Sequence, residues 1–153
     1  MAWLHPPANY VEKRYLSDTE KSLTGSIPDT EAALHRERTY RVVAMPADTN
    51  AYGDIFGGWV MSQIDIAGSI LAIREAEGRV ATVVVKEFRF RAPVAVGDLL
   101  SCYAEIRDLG KTSNTVHVVA EACRQLEKNI NHIVADATLV YVALGDDGRP
   151  RPL

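Results

Sequence analysis

At 153 residues, 47% of them apolar and 24% charged, the chain has the size and composition of one ordinary globular domain with room for a real core. Its net charge of −3 gives no global reason to expect nucleic acid, so any basic site has to be local. No apolar run approaches the roughly 18 residues that a transmembrane helix requires, so no membrane span is expected.

Residues 1–37 are polar and aperiodic, with Pro6, Pro7, Gly25 and Pro28. They are expected to form an arm, disordered or packed on the surface, with a short helix possible over Asp29–His35. The basic-then-apolar order of a signal peptide is missing, and Glu12, Asp18 and Glu20 argue against a transit peptide. Cys102 and Cys123 lie in strand-like runs without a CxxC pairing, which suits reduced thiols. A cytoplasmic location is the expectation.

Periodicity begins near Thr39, so residues 38–153 are read as the folded domain. Thr39–Met45 reads as a strand, and Pro46–Phe56 as a loop rich in Asp, Asn and Gly. Trp59, Met61, Ile64, Ala67, Ile70 and Leu71 then recur at helical spacing and predict a core-facing stripe, with Gly78 as the stop. Beyond Gly78 everything alternates. Val80, Val84, Phe88 and Phe90 predict one face of a strand, with Glu87, Arg89 and Arg91 on the other. Leu100, Cys102, Ala104 and Ile106 repeat the rule, as do Val116, Val118, Ala120 and Ala122, and then Ile133, Ala135, Ala137, Leu139 and Tyr141. Turns fall at Ala95–Gly97, Leu109–Lys111 and Arg124–Asn131. Short links favour antiparallel neighbours, and one helix cannot cover both faces of a parallel sheet. The expected fold is therefore α+β: one antiparallel sheet wrapped around one long central helix.

The junction MPADTNAYGDIFGG, running into the helix WVMSQIDIAGSILAIREAEG, concentrates the chemistry. A helix start offers unpaired N–H groups and a positive dipole end, which suit a developing oxyanion. Gly57 and Gly58 leave room for a ligand to approach that backbone. Asp65 sits between Ile64 and Ile66, and an acid in such surroundings needs partners or a function. Amide donors and a carboxylate near an apolar surface point to acyl chemistry. No pair of His5, His35, His117 and His132 has metal-ligand spacing, and no nucleophile elbow, phosphate loop or dinucleotide fingerprint is present, so neither metal nor cofactor is expected.

The loop and helix, followed by GRVATVVVKEFRFRAPVAVGDLLSCYAEI and LGKTSN, resemble the hot-dog acyl-CoA thioesterases, and among them the bacterial YciA-like group. The resemblance covers roughly residues 39–150. It rests on the combination of Asn-x-x-Gly-Asp-x-Phe-Gly-Gly, the helix aspartate, and Pro-x-x-x-Gly-Asp at Pro93–Asp98. It implies a hot-dog fold, a homodimer as minimal unit, a hexamer built as a trimer of dimers, and hydrolysis of acyl-CoA to a free acid and coenzyme A without metal. By the same resemblance Asp65 is the general base or nucleophile, Asn50 positions water or substrate, and the Gly57–Gly58 backbone polarises the carbonyl. Lys111, Thr112 and Ser113 are matched to the segment near the pantetheine and phosphates of coenzyme A. Arg89 and Arg91 form a second basic pair, where relatives are expected to carry smaller residues, as they are at Glu87.

Geometry favours a shared site. Asp65 lies seven residues beyond Gly58, almost two turns, hence on the same helix face but roughly 10 Å along the axis. Two antiparallel helices would bring each Asp65 to the other protomer's amides, with Gly68, Ser69 and Ala72 permitting close approach. Plainer readings stand beside these. Asp65 could be a structural acid bonded to a hydroxyl such as that of Ser62, and Asn50 could merely shape a turn. Asp54 could be a second carboxylate of the site or part of the turn, and is ranked structural or substrate-positioning. The Lys111–Ser113 turn could be an ordinary solvated one. Two alternative functions remain, a hot-dog dehydratase of hydroxyacyl thioesters, which would need a histidine with an acid, and a non-catalytic CoA-responsive domain.

Overall fold

A computed structural model describes residues 37–124 and 130–153; the amino-terminal arm and the centre of the Arg124–Asn131 turn lie outside the described residues. Five strands and one long helix follow in chain order: β1 (Glu37–Val43), α1 (Gly57–Ala76), β2 (Val80–Phe90), β3 (Leu99–Leu109), β4 (Ser113–Arg124) and β5 (Ile130–Ala143). A 3-10 turn, Pro46–Asp48, opens the loop before α1. The strands form one sheet in the order β1-β3-β4-β5-β2, and every neighbouring pair is antiparallel. The helix packs against all five strands. This is the expected hot-dog arrangement.

Val60, Ile64, Ala67 and Leu71 of α1 are buried against Leu100, Cys102 and Ala104 of β3, Val116, Val118 and Ala120 of β4, and Ala137, Leu139 and Tyr141 of β5. Burying each large aliphatic side chain contributes about 1.5–3 kcal/mol. The many alanines on β4 and β5 let the helix sit close to the sheet. Cys102 belongs to this core, where burial pushes its thiol up to about 12, so it is a packing residue rather than a nucleophile.

Three expectations of the alternation and helix stripe are corrected. Bulges between Thr82 and Val84 and between Val85 and Glu87 insert two extra residues in β2. Thr82, Val85 and Phe88 therefore pair with Tyr141, Leu139 and Ala137 on the helix side, while Val84 pairs with Val140 on the other face. A bulge at Ala120–Glu121 turns Ile133 outward opposite Glu121 and buries Val134 instead. On the helix, Met61 and Ile70 are exposed, and the core side is completed by Val60, Gln63 and Gly68. Ile66, Ile70 and Ile73, at 40%, 39% and 47% exposure, line the side turned away from the sheet. The helix is apolar around its circumference, so its stripe could not reveal which residues face the sheet.

Helix α1 stops at Ala76, not through Gly78 but because Glu77 takes the left-handed conformation with φ 48°. Gly78 donates its N–H to the Ile73 carbonyl and leaves space for the Arg151 guanidinium, which caps the Ala76 carbonyl. The Pro93–Asp98 motif proves architectural. Asp98 is 1% exposed, accepts Nε of Arg124 at 3.1 Å and Nη2 at 3.3 Å, and accepts the Ala95 N–H at 2.9 Å. It thereby locks the turn into β3 and ties it to the end of β4.

Candidate active site

The loop before α1 is organised by Asn50. Its side-chain oxygen accepts the N–H groups of Tyr52 at 2.8 Å and Asp54 at 3.2 Å, while its own N–H donates to the Asp54 carbonyl at 2.8 Å. This is the turn-shaping role that the residue type suggests. The amide nitrogen of its side chain makes no hydrogen bond among the described residues. Asp54 lies exposed at the loop tip, with its main chain in the turn and its carboxylate unengaged among the described residues. Ile55 is buried and anchors the loop beneath Phe56, whose N–H donates to the Asp48 carbonyl.

No side chain caps the start of α1, and its first turn carries no acid to compete for the amides. The two glycines have separate tasks. A Cβ at Gly57 would lie 3.2 Å from the ring of Phe90, so Gly57 is where the loop packs on β2. A Cβ at Gly58 would meet nothing within 4 Å, so Gly58 borders open space at the helix start.

Asp65 lies half-buried on the flank of α1 that faces β2. Its Oδ1 accepts the Thr82 hydroxyl at 2.7 Å and the Tyr141 hydroxyl at 3.2 Å. Ser62 is not the partner, because its hydroxyl donates to the Trp59 carbonyl. Oδ2 makes no hydrogen bond among the described residues. Beside the carboxylate is an apolar cavity of about 270 Å³, lined by Met61, Ser62, Asp65, Thr82, Val85, Phe88 and Leu139. A larger concavity of about 730 Å³ lies under the carboxyl end of α1, among Glu75, Glu77, Arg79, Asp146 and Arg151; it is polar and away from Asp65.

Within one chain these parts do not converge. None of Asn50, Asp54, Gly57 or Gly58 lines the cavity that holds Asp65. The Lys111–Ser113 turn lies towards the other end of the helix, where Asn114 Nδ2 donates to the Ala72 carbonyl at 3.2 Å. Lys111 is exposed, and the turn is shaped by Gly110 N–H donating to the Ser113 carbonyl at 2.7 Å. Arg89 and Arg91 point to the sheet face opposite Asp65. Arg89 pairs with Glu87 on its own strand, and Arg91 pairs with Asp136. His117 lies on that outer face too, with Nδ1 3.3 Å from Glu105 Oε1. Gly68 does not face a second helix as expected, since it is buried beneath the Tyr141 ring of its own chain.

Thr82 and Tyr141 are the members of this cluster that sequence reasoning passed over. Their signal was present: each is a hydroxyl in the helix-facing set of an otherwise apolar strand, and such groups need partners.

A family profile, Thioesterase superfamily, matches residues 52–124. The acyl-CoA thioester hydrolase YciA of Salmonella typhimurium is 48% identical over 119 residues, covering 76% of this chain and 90% of its own. The hexameric thioesterase of Yersinia pestis superposes with a TM-score of 0.73 at 46% identity, covering 76% of this chain and 94% of its own. An acyl-CoA hydrolase of Staphylococcus aureus, solved with butyryl coenzyme A and coenzyme A, gives 0.68 at 30% identity over 74% of this chain and 68% of its own. That hydrolase was also solved as two separate variants, one with alanine replacing an aspartate and one with alanine replacing a threonine 17 residues further on; the same interval separates Asp65 from Thr82 here.

Proposed function

The chain belongs to the hot-dog thioesterase superfamily, among the acyl-CoA thioester hydrolases related to YciA, and from that premise we propose that it works through paired sites, each completed by two protomers. It hydrolyses acyl-CoA to a free acid and coenzyme A. Asp65 is the general base or nucleophile, and the observation that carries this reading is its geometry: one carboxylate oxygen is held by hydroxyls, the other makes no hydrogen bond among the described residues, and the side chain lines an apolar cavity. Either role needs one free oxygen, to take a proton from water or to attack the thioester carbon. The Gly58 amide of the second protomer polarises the carbonyl oxygen, and the Asn50 side-chain amide beside it positions water or substrate. The leaving group is a thiolate, far less basic than an alkoxide or an amide anion, so its departure needs no strong general acid.

The second protomer is invited by two surfaces. β2 is a sheet edge with Val83, Val84 and Val85 exposed, and the outer stripe of α1 presents Ile66, Ile70 and Ile73. A long edge strand with exposed valines is a template for pairing. A homodimer across this edge, assembled further into a hexamer, would cover both. No described helix is long and apolar enough to cross a membrane. We place the protein in the cytoplasm, where the Cys102 and Cys123 thiols stay reduced.

Thiol release from a panel of acyl-CoAs tests the activity. Turnover of at least one chain length is expected, and binding without turnover would favour the CoA-responsive domain. A dehydratase is disfavoured because the chain's relatives are acyl-CoA thioester hydrolases. Lys111, with Thr112 and Ser113, is assigned to the phosphates of coenzyme A. Lys111→Ala is then expected to raise KM several-fold and spare kcat, since the contact serves ground and transition states alike. An acyl-pantetheine substrate without the nucleotide phosphates should react equally with both enzymes. Equal sensitivity of the two substrates to Lys111→Ala would assign the turn a structural role instead. Arg89 and Arg91 are kept as subsidiary coenzyme A contacts, reachable only from the outer face of the sheet.

A further inference from the structure

We propose that Tyr141 is a positioning residue for Asp65, clamping one carboxylate oxygen to the helix so that the other is presented to the substrate; this rests on the catalytic reading of Asp65. The placement begins in the sheet. Thr82 on β2 and Tyr141 on β5 are direct partners in the antiparallel ladder, so both side chains rise on the helix side beneath the same turn of α1. Their hydroxyls converge on a single atom, Asp65 Oδ1, at 2.7 and 3.2 Å. The Tyr141 hydroxyl also lies 2.9 Å from the Asp65 main-chain carbonyl, so its one proton is shared between the side chain and the backbone of the same residue.

That second contact is what Thr82 lacks. The terminal torsion of an aspartate is broad, and one donor leaves the carboxylate free to rock about it. A donor that grips backbone and carboxylate together ties that torsion to the helix. Tyr141 is itself fully buried, 0% exposed, with its ring packed beneath Gly68 of α1. Burial, and after it the nearby charge of Asp65, push its phenol above the usual range, so it acts as a donor and keeps its proton.

Gly68 is the counterpart of this clamp. A Cβ there would come within 2.4 Å of the Tyr141 oxygen and 3.1 Å of the ring carbon that bears it. Glycine in a helix interior costs about 1 kcal/mol relative to alanine. The space it leaves is what the Tyr141 hydroxyl occupies one turn from Asp65.

The test is a mutant cycle read by thiol release and by single-turnover kinetics for the slow variants. Tyr141→Phe keeps the ring and removes the donor. Its kcat is expected to fall on the order of 10-fold, with KM changed by less than about two-fold, because misplacement of a reacting group affects the chemical step. In an Asp65→Asn background the same substitution should cause no further loss, since the residue acts through Asp65. Gly68→Ala, which displaces the hydroxyl while removing no polar atom, should also lower kcat, and adding Tyr141→Phe to it should lower kcat no further than Tyr141→Phe alone. Gly68→Ala carries the test by itself where Tyr141→Phe loses its fold. Unchanged kcat in both single variants, with Asp65→Asn inactive, overturns the role of Tyr141. So does an equal loss on top of Asp65→Asn, which would mark a general structural effect. Full activity of Asp65→Asn would overturn the catalytic reading of Asp65 instead.

Discussion

Asp65→Asn is expected to lower kcat by about 10²-fold or more while leaving fold and assembly intact, in line with the loss of a general base or nucleophile. The substitution is close to isosteric. The amide oxygen can still accept the hydroxyls of Thr82 and Tyr141, as Oδ1 does now. The amide nitrogen then takes the place of Oδ2 at the cavity, where it can neither accept a proton from water nor attack a carbonyl. Thermal unfolding and size in solution should match wild type, which separates lost chemistry from lost structure. Near-normal turnover of the folded variant would remove Asp65 from the mechanism.

The second large effect is restoration of activity by mixing two inactive chains. Gly58 lies in open space, so Gly58→Val should fold while its side chain fills the approach to the helix amide. Asp65→Ala removes the carboxylate. Each variant alone is expected to be nearly inactive. Co-refolded in equal amounts, half of the dimers are mixed, and each mixed dimer holds one site with both an intact Gly58 and an intact Asp65. The mixture should recover about a quarter of wild-type activity. The motive is the separation within one chain: the loop amides are absent from the cavity that contains Asp65. Mixed dimers demonstrated by mass, yet without recovered activity, would show that each site belongs to a single protomer.

The loop, the helix aspartate and the four long alternating segments were legible because each rests on local rules. Glycines before an apolar run mark a helix start, and inward residues recur with period two. Where the alternation misled, the cause was one extra residue. The bulges in β2 put Val85 rather than Val84 beside Asp65, and the bulge at Glu121 put Val134 rather than Ile133 in the core. A bulge is a property of two strands in register, so one strand's pattern does not disclose it. The helix stripe failed for another reason, since a helix apolar on every side gives periodicity no contrast.

Composition and motif by themselves determined the class of fold, the acid proposed for the site and the glycine-rich helix start, because these depend on residue type and short spacing. Only the tertiary structure decided what holds the acid. Thr82 and Tyr141 stand 59 residues apart in the sequence and meet as neighbours in the β2–β5 ladder, with Gly68 making room above them. It also divided the two glycines between packing on Phe90 and open space, and sent Arg91 to Asp136 on the far face of the sheet. Long-range register and the close approach of helix to sheet bring such groups together, and neither is encoded in any local stretch of the chain.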